Sequence, residues 1–328
     1  MIRRNEAPFE RKTMIARGNF QRYFTIAALS AATLGLAACG SSQAASDVTV
    51  KVGYFPLVHT STAVHAEKNG LFAAEDLEVE LVQTQGGAAA IPNLVSGGVD
   101  VTYANYTSAL LAVKQGLPVR FISGNDVGAA DHGIFVAKDS GITGIEDLAG
   151  KTFAVNNLQN IGSVAVYALL EDAGLDSSAV DLIEMPYPDM QAALERGAVD
   201  AIWQVEPFQA SAEAAGFVKI SNLFTGPVDG MPVAGWLTTE QFLQENPDAV
   251  EGFRKAIAVS AEELQDNRPR LVELVPTFTK VPAEVVEQIE MPSFQGNLDG
   301  DQLQKTADLM HKYKIIDTTL DTRPLLAD

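Results

Sequence analysis

Four short stretches combine side chains able to hold a small molecule, and each ends an extended run and leads directly into a helical one. They are Phe55-Pro56-Leu57-Val58-His59-Thr60, Asn105-Tyr106-Thr107-Ser108, residues 156–163 and Trp203-Gln204-Val205-Glu206-Pro207. Asn, Thr and Ser at such a junction either cap the helix or, with the free amide N–H groups of its first turn, receive the negative end of a ligand. Phe55, Tyr106 and Trp203 serve either as rim packing or as faces for an apolar body. The recurrence of one loop form in both halves of the chain favours a site over four unrelated caps. None of the four stretches carries Lys or Arg. An anionic end such as sulfonate, carboxylate or nitrate would then rest on amides and hydroxyls, and a multiply charged phosphate is disfavoured. Glu206 has two roles open to it, pairing with an amino group of a zwitterion or capping the helix that Pro207 begins.

Other chemistry finds little support. Gly150-Lys151-Thr152 looks like the end of a phosphate-binding loop, but position 145 is Ile rather than Gly, and Thr152 opens an extended run where such a loop opens a helix. The four histidines are His59, His65, His132 and His311; no pair has i, i+4 spacing, and His59 and His65 fall on different faces of any shared helix. No metal and no cofactor are expected. Asn297, Asp299 and Asp301 imitate a calcium loop, but the Gly sits at position 4 and Asp308 replaces the closing Glu, so a turn and helix cap is the better account. There is no Gly-x-Ser-x-Gly elbow, and Ser163 after Gly162 suits a helix N-terminus better than a nucleophile. A catalytic residue is not expected.

The elements that must position these loops alternate. Extended runs are predicted at 48–55, 78–83, 100–103, 119–123, 152–156, 181–185, 201–204 and 217–220, with helices at 60–69, 88–96, 107–115, 163–173, 190–196 and 207–215. That alternation predicts an α/β architecture with largely parallel sheets, whose ligands bind beyond the carboxyl ends of the strands. Two crossings are predicted, one at 132–141 and one in the Gly- and Pro-rich stretch 226–235, which leads into a further strand at 233–238. The expected organisation is a first lobe of 48–138 with 232–328 and a second of 139–231, joined by a two-crossing hinge. Beyond the second crossing the chain reads as helical to its end.

At the front, Arg3, Arg4, Arg11, Lys12, Arg17 and Arg22 precede a 15-residue apolar run, 24–38, too short to span a bilayer as a helix. The run ends in Leu36-Ala37-Ala38-Cys39, the triplet and Cys at which a lipoprotein signal peptide is cut once the thiol has taken a diacylglycerol. Residues 1–38 are thus expected to be a signal peptide, Cys39 a lipidated N-terminus and 39–47 a polar tether; Met14 is an alternative start. Their loss removes six basic and two acidic side chains and takes the net charge from −19 to about −23. So acidic a chain is a poor partner for nucleic acid. Cys39 is the single cysteine, so the rest of the chain is held by its core and not by disulfides.

Several segments, in order, resemble a known family. Val52-Gly53-Tyr54-Phe55-Pro56, then Ala66-Glu67-Lys68-Asn69-Gly70-Leu71-Phe72 and Asp76-Leu77-Glu78-Val79, are similar to the opening of the substrate-binding proteins of nitrate, sulfonate, taurine and thiamine-precursor importers. Asp76 stands where that family commonly has Gly. Gly86-Gly87, the stretches 94–101, 145–155 and 192–201, and Glu206-Pro207-Phe208 extend the likeness over about residues 48–265. The resemblance implies a type II periplasmic-binding fold, in which two lobes close on a small molecule and deliver it to an ATP-driven permease. It carries the ligand contacts onto Phe55, His59, Thr60, Asn105, Tyr106, Thr107, Asn157, Gly162, Ser163, Trp203 and Glu206. The implied partners are the small molecule, the permease with its ATPase, and the membrane through the Cys39 lipid, on the outer face of the cytoplasmic membrane or in the periplasm. The ligand expected is a small organic anion or zwitterion of the taurine type, with an aromatic or heterocyclic compound such as a thiamine-precursor pyrimidine as the alternative. Fungal pyrimidine synthases share the fold, but their pattern includes a Cys-rich iron site that this chain lacks, so a binding protein is expected rather than an enzyme.

Overall fold

The computed structural model describes residues 49–84 and 87–327. The expected signal peptide, Cys39 and the 39–47 tether lie outside the described residues.

Three strand-to-helix steps begin the described chain. β1 (Thr49–Tyr54) leads through a 3₁₀ turn at Val58–Thr60 into α1 (Ser61–Lys68) and α2 (Leu71–Ala74); β2 (Glu78–Gln83) leads into α3 (Gly87–Val95), and β3 (Val101–Asn105) into α4 (Tyr106–Lys114). Gly70 ends α1 at φ +71°, a left-handed conformation that costs glycine no Cβ clash. β1 pairs in parallel with both β2 and β3, as strands joined by helices do. β4 (Val119–Val127) follows, and the chain then leaves this sheet.

It continues as β5 (His132–Val136), β6 (Thr152–Val155), α5 (Ile161–Asp172), β7 (Asp181–Glu184), α6 (Tyr187–Glu195), β8 (Ala201–Val205), α7 (Phe208–Ala214) and β9 (Val218–Asn222). β10 (Pro232–Thr239) returns it to the first sheet, followed by α8 (Glu240–Glu245), α9 (Pro247–Leu264), α10 (Arg268–Leu274), α11 (Ala283–Val286), β11 (Ser293–Phe294) and α12 (Gly300–Lys312). The sheets are ordered β11-β4-β10-β3-β1-β2 and β7-β6-β8-β5-β9. The α/β class therefore holds, with two sheets.

The sheets are more mixed than the sequence predicts. β10 is antiparallel to β3 and β4, and β5 is antiparallel to β8 and β9. The reason is topological: a chain leaving one sheet at the carboxyl end of β4 enters the other at its carboxyl edge, so it must run against the strands already there. β10 returns under the same constraint. The chain also changes sheet earlier than residue 138, because β5 is already paired in the second sheet; a short, wholly buried apolar run reads alike in either sheet. Gly128 starts this crossing, and a Cβ there would lie 2.1 Å from Cγ of Phe224. Its N–H donates to the carbonyl of Met231 at 2.8 Å, which ties the outgoing segment to the returning one.

The longest helix among the described residues, α9, places Val250, Phe253, Ile257, Ala261 and Leu264 on one buried stripe of helical period. Phe253 stacks on Phe72 and meets the edge of Trp236. A separate cluster of Val58, Val64, Leu264, Leu271, Val275 and Ile289 packs the C-terminal helices behind the 3₁₀ turn that carries His59. The Asp299 carboxylate accepts from the N–H groups of Asp301 and Gln302 as the cap of α12, and Thr152 opens β6. Those two stretches are thus a cap and a strand, as their context in the sequence suggests.

Candidate functional site

A cavity of about 70 Å³ lies where the loops of the two sheets meet. From the first sheet come Phe55, Leu57 and His59 after β1, Tyr103 and Asn105 at the end of β3, and Asp126 near the end of β4. From the second come His132 at the start of β5, Asn156 and Asn160 between β6 and α5, Ile161 at the start of α5, Tyr187 at the start of α6, and Trp203 and Val205 on β8. Val233 and Ala234, on the returning β10, close the wall.

Of the eleven residues expected in the site, Phe55, His59, Asn105 and Trp203 line this cavity; the other seven do not. The Thr60 hydroxyl donates to the carbonyls of Phe55 (2.7 Å) and Leu57 (3.0 Å), so it shapes the loop from inside. Tyr106 turns away and packs on Phe121. Thr107 is buried one residue further along α4. Asn157 caps its own turn, accepting from the Gln159 N–H at 2.9 Å, while Asn156 and Asn160 beside it take the wall. Gly162 acts through Trp203: a Cβ there would lie 2.3 Å from the indole, so only glycine lets the ring lie flat on the start of α5. The Ser163 hydroxyl is buried 3.4 Å from the carbonyl of Asn157.

Glu206 is wholly committed to its surroundings. Its Oε1 accepts from the Gln209 side chain and the Glu290 N–H, each at 3.0 Å, and its Oε2 from the Ala210 N–H at 3.1 Å. It therefore caps α7 and fastens the C-terminal segment to it. Burial pushes its carboxyl up to about 7 despite these donors.

The sequence reading missed Asp126, His132 and Tyr103, which sit on strands and not in the four loops. Asp126 is buried; its Oδ1 accepts from the Tyr103 hydroxyl (2.9 Å) and from the Asn125 amide (2.8 Å), and its Oδ2 has no protein partner. Burial raises the Asp126 carboxyl to about 6, with nearby His59 pulling the other way. Asp131, also buried, lies 2.6 Å from Nε2 of His59 and 3.6 Å from Nε2 of His132. Burial alone would depress the His59 imidazolium, but Asp126, the hydrogen-bonded Asp131 and Glu206 outweigh it and hold His59 above its ordinary value. The same balance keeps Asp131 ionised: burial raises it, and His132 and His59 bring it below the usual range. His132 goes the opposite way, pushed by burial down to about 4, and is neutral at pH 7. Its ring is clamped between Trp203, Phe224 and His59.

No Lys or Arg lines the cavity among the described residues. Two helices aim their N-termini at it, but their caps are already engaged: Asn105 accepts from the Ser108 N–H at 2.8 Å and Asn160 from the Gly162 N–H at 3.0 Å. The walls thus combine amide groups, aromatic side chains, the imidazoles of His59 and His132 and one acceptor-only carboxylate.

Comparison with known proteins gives these features a context. The taurine-binding periplasmic protein of Escherichia coli (strain K12) is 25% identical over 221 residues, 67% of this chain and 67% of that protein. The formylaminopyrimidine-binding protein of Halalkalibacterium halodurans is 28% identical over 185 residues, 55% of each chain. Among solved structures, the alkanesulfonate-binding protein SsuA from Xanthomonas axonopodis pv. citri, bound to MOPS, superposes with a TM-score of 0.73 at 18% identity, covering 85% of this chain and 98% of that one. The periplasmic-binding fold implied by the sequence resemblance is the fold observed. A model of the NMT1/THI5-like family matches residues 58–269, well over half of the chain, and the protein belongs to that family.

Proposed function

We propose that this protein is the extracytoplasmic substrate-binding component of an ABC importer, that it binds a small amino-substituted heterocycle in the cavity described above, and that it hands this ligand to a permease. The observation that carries the ligand class is Asp126, a buried carboxylate at the cavity wall with one oxygen unpartnered and no Lys or Arg beside it. An acceptor-only group in that position calls for a ligand edge that donates hydrogen bonds. Trp203, Tyr187 and Phe55 line the cavity with aromatic surface, and its small volume suits one ring rather than a fused system. The family and the formylaminopyrimidine-binding relative agree with this choice.

A taurine-like zwitterion is the second reading. Its ammonium would meet Asp126, its sulfonate would face the helix N-termini behind Asn105 and Asn160, and the taurine-binding relative favours it.

In this reading the relevant chain begins at lipidated Cys39, which holds the binder beside the membrane, and the lobe built on the first sheet closes against the lobe built on the second, to which β5 belongs. The ligand stabilises the closed arrangement because its contacts come from both sheets. The protein binds without turnover. Isothermal titration with aminopyrimidines, taurine, alkanesulfonates and nitrate, with recovery of the compound afterwards, tests this. An unmodified aminopyrimidine bound by the parent and lost in Asp126→Asn is expected. Tight binding of nitrate or a simple sulfonate, or consumption of the bound compound, overturns the proposal.

A further inference from the structure

We propose that His59, Asp131 and His132 form a binding site for one divalent transition-metal ion, zinc being the natural probe, in the wall of the cavity. The three side chains are buried, and one ligand atom from each lies within 4.8 Å of the other two. Two imidazoles and one carboxylate are a donor set that zinc takes readily. A tetrahedral ion at about 2.0–2.2 Å from each donor needs them about 3.4 Å apart. The pair separations of 2.6 Å and 3.6 Å to Asp131 already straddle that value, so small side-chain rotations would gather the set.

One further observation points to a ligand here rather than to a purely structural cluster. Both ring nitrogens of His132 are buried without a hydrogen-bond partner, as are Nδ1 of His59 and Oδ1 of Asp131. A neutral imidazole must carry one N–H, and a buried donor without an acceptor is rare in a finished fold.

The ion would use the fold as it stands. His132 is oriented by the rings of Trp203 and Phe224, and His59 by the turn at Val58–Thr60. Both histidines line the cavity, so the remaining coordination position would face it, open to a water or to an unprotonated ring nitrogen of a ligand. The chain brings these donors together from well-separated segments: Asp131 and His132 lie at the crossing into β5, and His59 lies after β1.

The site shares the cavity but not its evidence with the ligand proposal, and it is tested without any organic compound, so the two can fail separately. Protein stripped with a chelator is titrated with ZnCl₂ and, separately, with CoCl₂. One zinc per chain is expected, with a visible Co²⁺ spectrum of a four-coordinate N/O site. His132→Phe keeps the ring packing and Asp131→Asn keeps the side-chain shape; each is expected to weaken zinc by at least about 100-fold. His65→Ala, on a different cluster with Glu263 and Arg270, is expected to leave it unchanged. X-ray absorption of the parent zinc complex, which needs no variant to fold, is expected to show two imidazoles. No zinc uptake by the parent, unchanged affinity in folded His132→Phe or Asp131→Asn, loss in His65→Ala, or fewer than two imidazoles around the zinc overturns the assignment.

Discussion

Asp126 should make the native protein weaker while making its site useful, and Asp126→Asn separates the two effects. The carboxyl moves from 3.8 to about 6 on folding, chiefly because burial disfavours the ion. At about 1.4 kcal/mol per pH unit, ionised Asp126 costs the native state about 3 kcal/mol. The sign follows from which state binds the proton more tightly. Below about pH 4 the group is neutral in both states and costs nothing. Between about 4 and 6 the unfolded chain ionises first, so the native state loses stability as pH rises; above about 6 the penalty is constant.

Asn removes that penalty while keeping an oxygen for the Tyr103 hydroxyl and the Asn125 amide. The variant, stripped of metal, should be more stable than the parent by about 1–3 kcal/mol at pH 7.5, and the gain should vanish by about pH 4. Urea unfolding at half-unit pH steps measures this, with a rise in Tm of several degrees as the companion signal. The same variant should lose the ligand, since an amide cannot accept on both arms. A variant less stable than the parent at pH 7.5, or one whose gain does not change between pH 4 and 7.5, would refute the reasoning. It would mean that the Asp126 ion is held by its neighbours instead of being strained.

Other substitutions probe the remaining parts. Glu206→Ala strands the N–H groups of Ala210 and Glu290 and the Gln209 amide, so a loss of about 2–4 kcal/mol in denaturant unfolding is expected, with ligand affinity unchanged because Glu206 does not line the cavity. Gly162→Ala drives a methyl into the Trp203 ring; about 1–3 kcal/mol of stability should be lost, and titration should show weaker ligand binding through the displaced indole. His59→Ala leaves Asp131 buried without its 2.6 Å partner and should cost about 3–5 kcal/mol in metal-free protein, read by urea unfolding.

Much of the fold was legible because helix and strand periods are local. The strand-to-helix loops were placed correctly, and Phe55, His59, Asn105 and Trp203 from them reach the cavity. What local pattern does not carry is the direction in which a side chain leaves its loop. Asn156 and Asn160 line the wall while Asn157 between them does not, and Tyr103 faces inward where Tyr106 packs on Phe121. One signal was available: β strands alternate faces, so Tyr103 and Asn105, two apart on β3, had to share one. Asp126 gave a different warning. A carboxylate inside Val119–Val127, a strand buried almost throughout, has no structural reason to be there unless something pairs with it.

His132 and Asp131 were missed for a reason rooted in topology. Spacing along the chain sets His59 nearest to His65, whereas the histidine beside it in space is His132. That meeting depends on the chain changing sheets between Val127 and His132, which no periodicity reveals. Once the crossing is recognised, the placement follows. Parallel strands present their carboxyl ends to the cavity, so the segments joining the sheets pass beside it, and polar residues at their ends, such as Asp126 and His132, are buried against it. Asp126, Asp131, His132, Val233 and Ala234 all lie on or next to those two segments, which are tied to each other by the Gly128–Met231 hydrogen bond. In a protein of this topology the first place to look for charged recognition groups is therefore the pair of crossings, where the proposed cation or donor edge would be read by residues that also join the two sheets.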